Sequence, residues 1–340
     1  MELLILNKMN YNQNSGYGLA LMTSIYANVG TFGNVFIVLS SSDSSKSKFQ
    51  HLQETFRNDP DGRVRFFTDV AAAYDAMVSN NNDVMVLDGD TEHALSAMLT
   101  ISKNRVHFVG LDYLLGDRRK YGQSTKITLT APGAATDVFM IKNLGVRNSF
   151  KGIKFTNSAT VTENVAAFGE GGEYTVFRNC EFYDSTKLTS DTHAELVQNG
   201  DSTQFFDCTI GSLADSVTGD KIRPAILLTK GTVGAGLVSR DVLFDGCKLW
   251  KNAGGTTTAF VKGAATDVER VMEFHDCAFI ANVLGAQPAV AIDVATLTVG
   301  QIILTGDTFA SECTKIATAT GVLNATPARV ATATIAIQAT

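Results

Sequence analysis

Charge is scarce in this chain. Asp, Glu, Lys and Arg make up 18% of its 340 residues, below the quarter usual in soluble domains. The net balance is −6, the wrong sign for a nucleic-acid partner. No apolar run is long enough to span a membrane. The opening Met1-Glu-Leu-Leu-Ile-Leu-Asn7 is short and has no basic stretch before it, so a secretory signal is not expected and synthesis in a cytoplasm is. Five cysteines, an odd number, suit a reduced structural role. They include no Cys-x-x-Cys pair, and no paired histidines stand near them, which argues against zinc. Gly-x-Gly-x-x-Gly and P-loop patterns in a strand-to-helix setting are missing. So is a serine-nucleophile motif. No catalytic, cofactor or metal residues are therefore assigned.

What the chain does contain is a repeat. Phe150-Lys-Gly-Ile-Lys-Phe155 recurs as Phe177-Arg-Asn-Cys-Glu-Phe182, Phe205-Phe-Asp-Cys-Thr-Ile210, Phe244-Asp-Gly-Cys-Lys-Leu249, Phe274-His-Asp-Cys-Ala-Phe279 and Leu304-Thr-Gly-Asp-Thr-Phe309. The starts differ by 27, 28, 39, 30 and 30 residues, a solenoid period. The third position is Gly152, Asn179, Asp207, Gly246, Asp276 or Gly306. These residue types tolerate a left-handed backbone, so a turn is expected there. Positions four and six are mostly apolar around a polar or small residue, the alternation of a half-buried strand. Strand, one-residue bend and strand make one coil of a parallel β-helix. Helical repeats would need apolar spacings of three and four.

Cys180, Cys208, Cys247 and Cys277 share the fourth column. Stacked coils lie roughly 4.8 Å apart, close enough for disulfides. Because the same column accepts Ile153 and Asp307, it reads as an interior packing slot, with Asp307 marking a last, partly open coil. The interval from 205 to 244 is the long one, and a protruding loop is expected at Gly211–Arg223.

Four segments follow. Residues 1–33, with only Glu2 and Lys8 charged, form an N-terminal arm, with three alternatives open: packed on its own domain, added to a neighbouring subunit, or disordered. Residues 34–82 form an α/β head and capping helix. It has strands at Asn34–Leu39 and Arg63–Phe67, a short helix at Phe49–Phe56, and a turn at Asp59–Gly62. A second helix, from Asp69 to about Ser79, is capped by Thr68 and buries Val70, Ala73 and Met77. Residues 83–312 form the β-helix. It begins with the strand Asp83–Leu87 and includes Val106–Leu111, Lys126–Leu129 and Val138–Ile141, with a charged outer loop at Leu111–Gln123. Residues 313–340 are an Ala/Thr-rich β tail that must pair, with its own last coil or with sister subunits, to avoid an open edge.

Glycoside hydrolysis needs two acids at a set separation, and the candidates are Asp184, Asp191, Glu195, Asp201 and Asp207. All five are expected on outward turns. Asp88–His93 reads as turn chemistry, and His107 and His275 as outward strand or bend residues.

The stretch Phe66–Gly89 resembles the opening of pectate-lyase-type right-handed β-helices, in which a short amphipathic helix plugs the first coil. The hexads resemble that superfamily's coils, and their third column its tight bend. The fold this implies is an all-β solenoid, a right-handed single-stranded parallel β-helix with a small α/β N-terminal capping region. Polygalacturonase-type paired Asp and Gly-His-Gly are missing. Asn199-Gly-Asp201 and Arg118-Arg-Lys120 match that family's remaining signatures only loosely and in the wrong order. The combination of an apolar arm, a strand-helix head over Asn34–Leu87, a plain β-helix and an Ala/Thr-rich β tail resembles bacteriophage virion proteins, and the Gly33–Phe67 portion resembles heads of phage structural proteins. That resemblance implies a non-enzymatic bacteriophage virion component, capsid-decorating or a short fibre, trimeric through its apolar ends. Its partners would be the major capsid protein or other virion proteins, with no nucleic acid and no membrane. The alternatives are a tailspike-like polysaccharide lyase or hydrolase acting on a host surface glycan, and a carbohydrate-binding adhesin. The enzyme needs a groove lined with acids and aromatics, yet Trp250 is the only tryptophan.

Overall fold

Each hexad turns the chain through one bend and joins two sheets. In the computed structural model, which describes residues 33–39, 65–89, 92–114, 123–129, 139–158, 165–184, 190–213, 222–253, 257, 259–283, 288–294, 297–313, 315–317, 322–324 and 337–338, all strand pairings are parallel and fall into three sheets. The first sheet, of 11 strands, holds the first half of each hexad, and the second, of nine, holds the second half. The third sheet, of eight strands, closes the coil.

The bend obeys the chemistry of its third column. Gly152, Asn179, Asp207, Gly246, Asp276 and Gly306 all have φ between 50° and 63°, the left-handed region that glycine, asparagine and aspartate tolerate best. Gly152 has a second reason to be glycine. A Cβ there would stand 2.3 Å from Cβ of Tyr113.

Register then stacks like on like. Phe108 pairs with Phe150, Phe150 with Phe177, Phe177 with Phe205, Phe205 with Phe244, and Phe244 with Phe274. The six rings are fully buried or nearly so, and consecutive rings stack with centroids 4.5–5.0 Å apart. That distance is the inter-strand spacing itself, so the backbone ladder holds the rings at a favourable separation. Each such pair adds about 0.5–1.5 kcal/mol beyond the area it buries. Phe155, Phe182, Ile210, Leu249 and Phe279 form the matching inward column of the second sheet.

All five cysteines are free and buried. Cys180, Cys247 and Cys277 each direct Sγ to two backbone carbonyls. Burial pushes the thiols of Cys208 and Cys277 well up. The fourth column is thus the interior packing slot read from the sequence.

The head strands Val35–Val38 and Phe66–Phe67 extend the first sheet beyond Asp83–Leu87. The capping helix spans Val70–Ala76, shorter than expected, and its N-cap is Asp69, whose side chain accepts from the Ala72 amide. Thr68 is not the cap. Asp69 lies three residues before that amide, the reach a cap needs. The helix buries Val70, Ala73 and Tyr74, with Met77 just past its end. The Phe49–Phe56 helix, the Asp59–Gly62 turn and residues 1–32 lie outside the described residues. Leu111–Leu114 is a short helix with Leu111, Tyr113 and Leu114 buried, not the start of an outer loop.

Two register details correct the expectation. Nine residues separate Leu196 from Phe205, but eighteen separate their partners Ile226 and Phe244. Most of the extra length therefore lies between the third and first sheets, at residues 229–241, and not at Gly211–Arg223. This insertion turns through Gly231 and Gly236 and seats Val233 with Phe139, Val197 and Leu227 in a second apolar cluster. In the last hexad, Phe279 pairs with Ala310 and Phe309 with Ala278. One residue is added there, so Thr308, buried, takes the cysteine position, while Asp307 and Phe309 face out. Stacking continues past 312. Lys315–Ala317, Val322–Asn324 and Ile337–Gln338 add a strand to the third, first and second sheets in turn.

Candidate functional site

Polar side chains concentrate at the corners of the coil. Where the second sheet gives way to the third, Asp184 stands above Asn157 and accepts a 2.8 Å bond from its amide. Glu195, from the next strand, accepts from the Asp184 backbone amide at 2.6 Å. Arg223 reaches between them, 3.3 Å from Asp184 Oδ1 and 2.8 Å from Glu195 Oε1, and also donates to the Asp184 carbonyl. Lys251 approaches Glu195 at 3.5 Å. The four side chains are at most 3% exposed. Two acids and two bases cancel inside the wall, which is how buried charge is tolerated.

Where the third sheet gives way to the first, Asn143, Glu170 and Gln198 pair in register. Asn143 Nδ2 donates to both Glu170 oxygens at 3.1 and 2.9 Å, and the Gly172 amide donates to Oε1 at 2.7 Å. Burial outweighs these bonds and raises the Glu170 carboxyl to about 8. Gln198 Oε1, its neighbour in the column, is buried with no hydrogen-bond partner.

The five acids singled out in the sequence scatter. Asp184 and Glu195 come together, but inward rather than on outward turns. Asp191 pairs with Lys262 at 2.6 Å on the surface, and that bond pulls its carboxyl down. Asp201 accepts from Arg270 at 3.1 Å beside the Arg240–Glu269 pair. Asp207 serves the bend. Asp88 and His93 are both buried, with His93 Nε2 3.1 Å from the Asp88 carbonyl. His107, on the outer face of the first sheet, is 2.8 Å from Ser149 Oγ. Burial, then Lys151, lowers it to about 4.

Sequence reasoning missed Glu170, Arg223 and Lys251. A signal existed for Glu170. It stands 27 residues after Asn143 and 28 before Gln198, the same steps as the hexads beside it. Arg223 carried none, since it comes from an irregular segment. Chemically, the Asp184–Glu195 pair is an acid pair that no polymer can touch.

No known protein family matches the chain, and no curated protein does. Solved structures do. The chain is similar to pectate lyase Pel9A, with a TM-score of 0.53 and 12% identity over 84% of this chain and 65% of that one. It is similar to a pectin methylesterase mutant in complex with a hexasaccharide, at 0.52 and 14%, covering 84% and 81%. It is also similar to pectin methylesterase PemA from Erwinia chrysanthemi, at 0.50 and 13%, again covering 84% and 81%. The fold is the right-handed parallel β-helix. At these identities the likeness extends to the β-helix and carries no activity with it. In this β-helix no helix among the described residues is long and apolar enough to cross a membrane.

Proposed function

We propose that this β-helix is a non-enzymatic structural component of a bacteriophage particle, decorating the capsid or forming a short fibre. It is made in the host cytoplasm and incorporated into the virion. It acts as a homotrimer joined through its apolar terminal segments, against the major capsid protein or other virion proteins. One observation carries the non-enzymatic part. Of the five acids the sequence offered, the two that meet, Asp184 and Glu195, are sealed by Arg223 and Lys251. The uninterrupted phenylalanine stack supports a stiff rod, a suitable build for an exposed particle surface. Purified protein incubated with host surface polysaccharide is expected to release neither reducing ends nor unsaturated products, and light scattering to give a trimer mass. Sugar products would replace this reading with an enzymatic one, and a monomer mass would remove the trimer.

A second reading is favoured by the similar structures, which are pectin-acting enzymes, one of them holding a hexasaccharide. Under it the chain is a lyase, hydrolase or esterase on a host surface glycan. The outer face of the second sheet supports it, where Trp250, in register with Gly211 of the coil before, is half-buried.

A further inference from the structure

The first sheet's outer face and the bend beside it bring together three side chains that the buried clusters do not use. Asp245 ends one coil's strand and pairs in register with His275 of the next. Asp276 follows His275 at the bend, with φ at 50°. One donor atom from each of the three lies within 4.8 Å of the other two.

The surrounding hydrogen bonds decide how the imidazole is turned. Thr305 is the register partner of His275 one coil on, and its hydroxyl donates to Glu273 Oε1 at 2.6 Å. A hydroxyl has one proton. Thr305 Oγ1 must therefore accept from His275 Nδ1, 2.9 Å away. The Nδ1 proton is fixed, and in the neutral ring Nε2 presents its lone pair. Nε2 stands 3.4 Å from Asp276 Oδ2, with the Asp245 carboxylate in the same cluster. An imidazole nitrogen beside two carboxylate oxygens is a donor set that suits a divalent cation. The other oxygen of Asp276 is engaged, accepting from the Asp307 amide at 2.7 Å, so Oδ2 is the one left over. A carboxylate–hydroxyl–imidazole chain that fixes the tautomer and leaves Nε2 free is the outer support metal-binding histidines have. The 3.4 Å separation is also about the edge of a tetrahedron with metal–ligand bonds of about 2.1 Å.

We propose that Asp245, His275 and Asp276 bind one divalent first-row transition ion per chain, of which Zn²⁺ is the probe of choice. Two carboxylate oxygens and one imidazole nitrogen form its protein ligands, and water completes the shell. Asp245 comes from one coil and His275 and Asp276 from the next, so the ion clamps successive coils near the C-terminal end of the solenoid. Glu273 and Thr305 are positioning residues.

The full chain, stripped of metal with a chelator and dialysed, is titrated with ZnCl₂ in a calorimeter. One saturable site per chain is expected. His275→Asn and Asp245→Asn should each weaken binding at least tenfold. Thr305→Val should weaken it about tenfold while keeping the one-to-one ratio. Co²⁺ should give a visible absorption band in the native protein that disappears in His275→Asn. Binding that stays below saturation at millimolar Zn²⁺ overturns the proposal. Binding that is unchanged in Asp245→Asn overturns it as well. Asp245 projects from the sheet's outer face, so that variant tests the site even if His275→Asn fails to fold.

Discussion

Glu170→Gln should change the pH dependence of stability more than the stability itself. Burial raises the Glu170 carboxyl to about 8, against the opposing bonds from Asn143, Gly172 and Thr175. In the unfolded chain it titrates at its ordinary value of 4.5. Between those values the folded state holds a proton that the unfolded state has released. The contribution is therefore fully present below 4.5, declines as pH rises, and is lost above 8. A shift of this size corresponds to roughly 4–5 kcal/mol in all. Glutamine is neutral throughout. Its oxygen can still accept from Asn143 and Gly172. Equilibrium urea unfolding of both proteins at intervals from pH 4.5 to 9 gives the difference directly, with other titrating groups cancelling. The two should agree within about 1 kcal/mol at pH 5. The variant should be more stable by roughly 4 kcal/mol at pH 8.5. A difference that does not change with pH, or a variant equally destabilised at both ends, would refute the reasoning.

Three further perturbations probe the rest of the frame. Phe205→Ala removes a ring stacked on both sides, by Phe177 and Phe244, and should lower unfolding free energy by about 3–5 kcal/mol; Phe205→Leu should lower it by much less, both read from denaturant melts. Arg223→Ala removes the guanidinium held between the buried Asp184 and Glu195 and should cost about 3–5 kcal/mol, whereas Lys262→Ala, which breaks the exposed pair with Asp191, should cost less than about 1 kcal/mol. The five buried thiols should resist an aromatic disulfide reagent in native buffer and all react once the chain is unfolded. Rapid reaction of four or five native thiols would contradict an interior column.

The repeat determined most of the fold. Six hexads with a left-handed residue in their third column leave little choice but a strand, a bend and a strand, because side chains alternate with period two and only a few residue types accept positive φ. The inward columns of phenylalanine and cysteine were legible for the same reason, as was the starting strand Asp83–Leu87. Pairing between coils is another matter. Hexad spacing showed that one coil is long, yet only the register of Ile226 and Phe244 placed the excess at residues 229–241. The shift of Phe309 to the surface depends on a one-residue offset against Phe279, which no local pattern encodes, since a slip of one exchanges the two faces of a strand. The joining of Asp184 to Arg223, and of Asp245 to His275, lies wholly in the tertiary structure. Those partners are 39 and 30 residues apart, and they become neighbours only because each coil returns the chain to a place about one strand spacing above where it began.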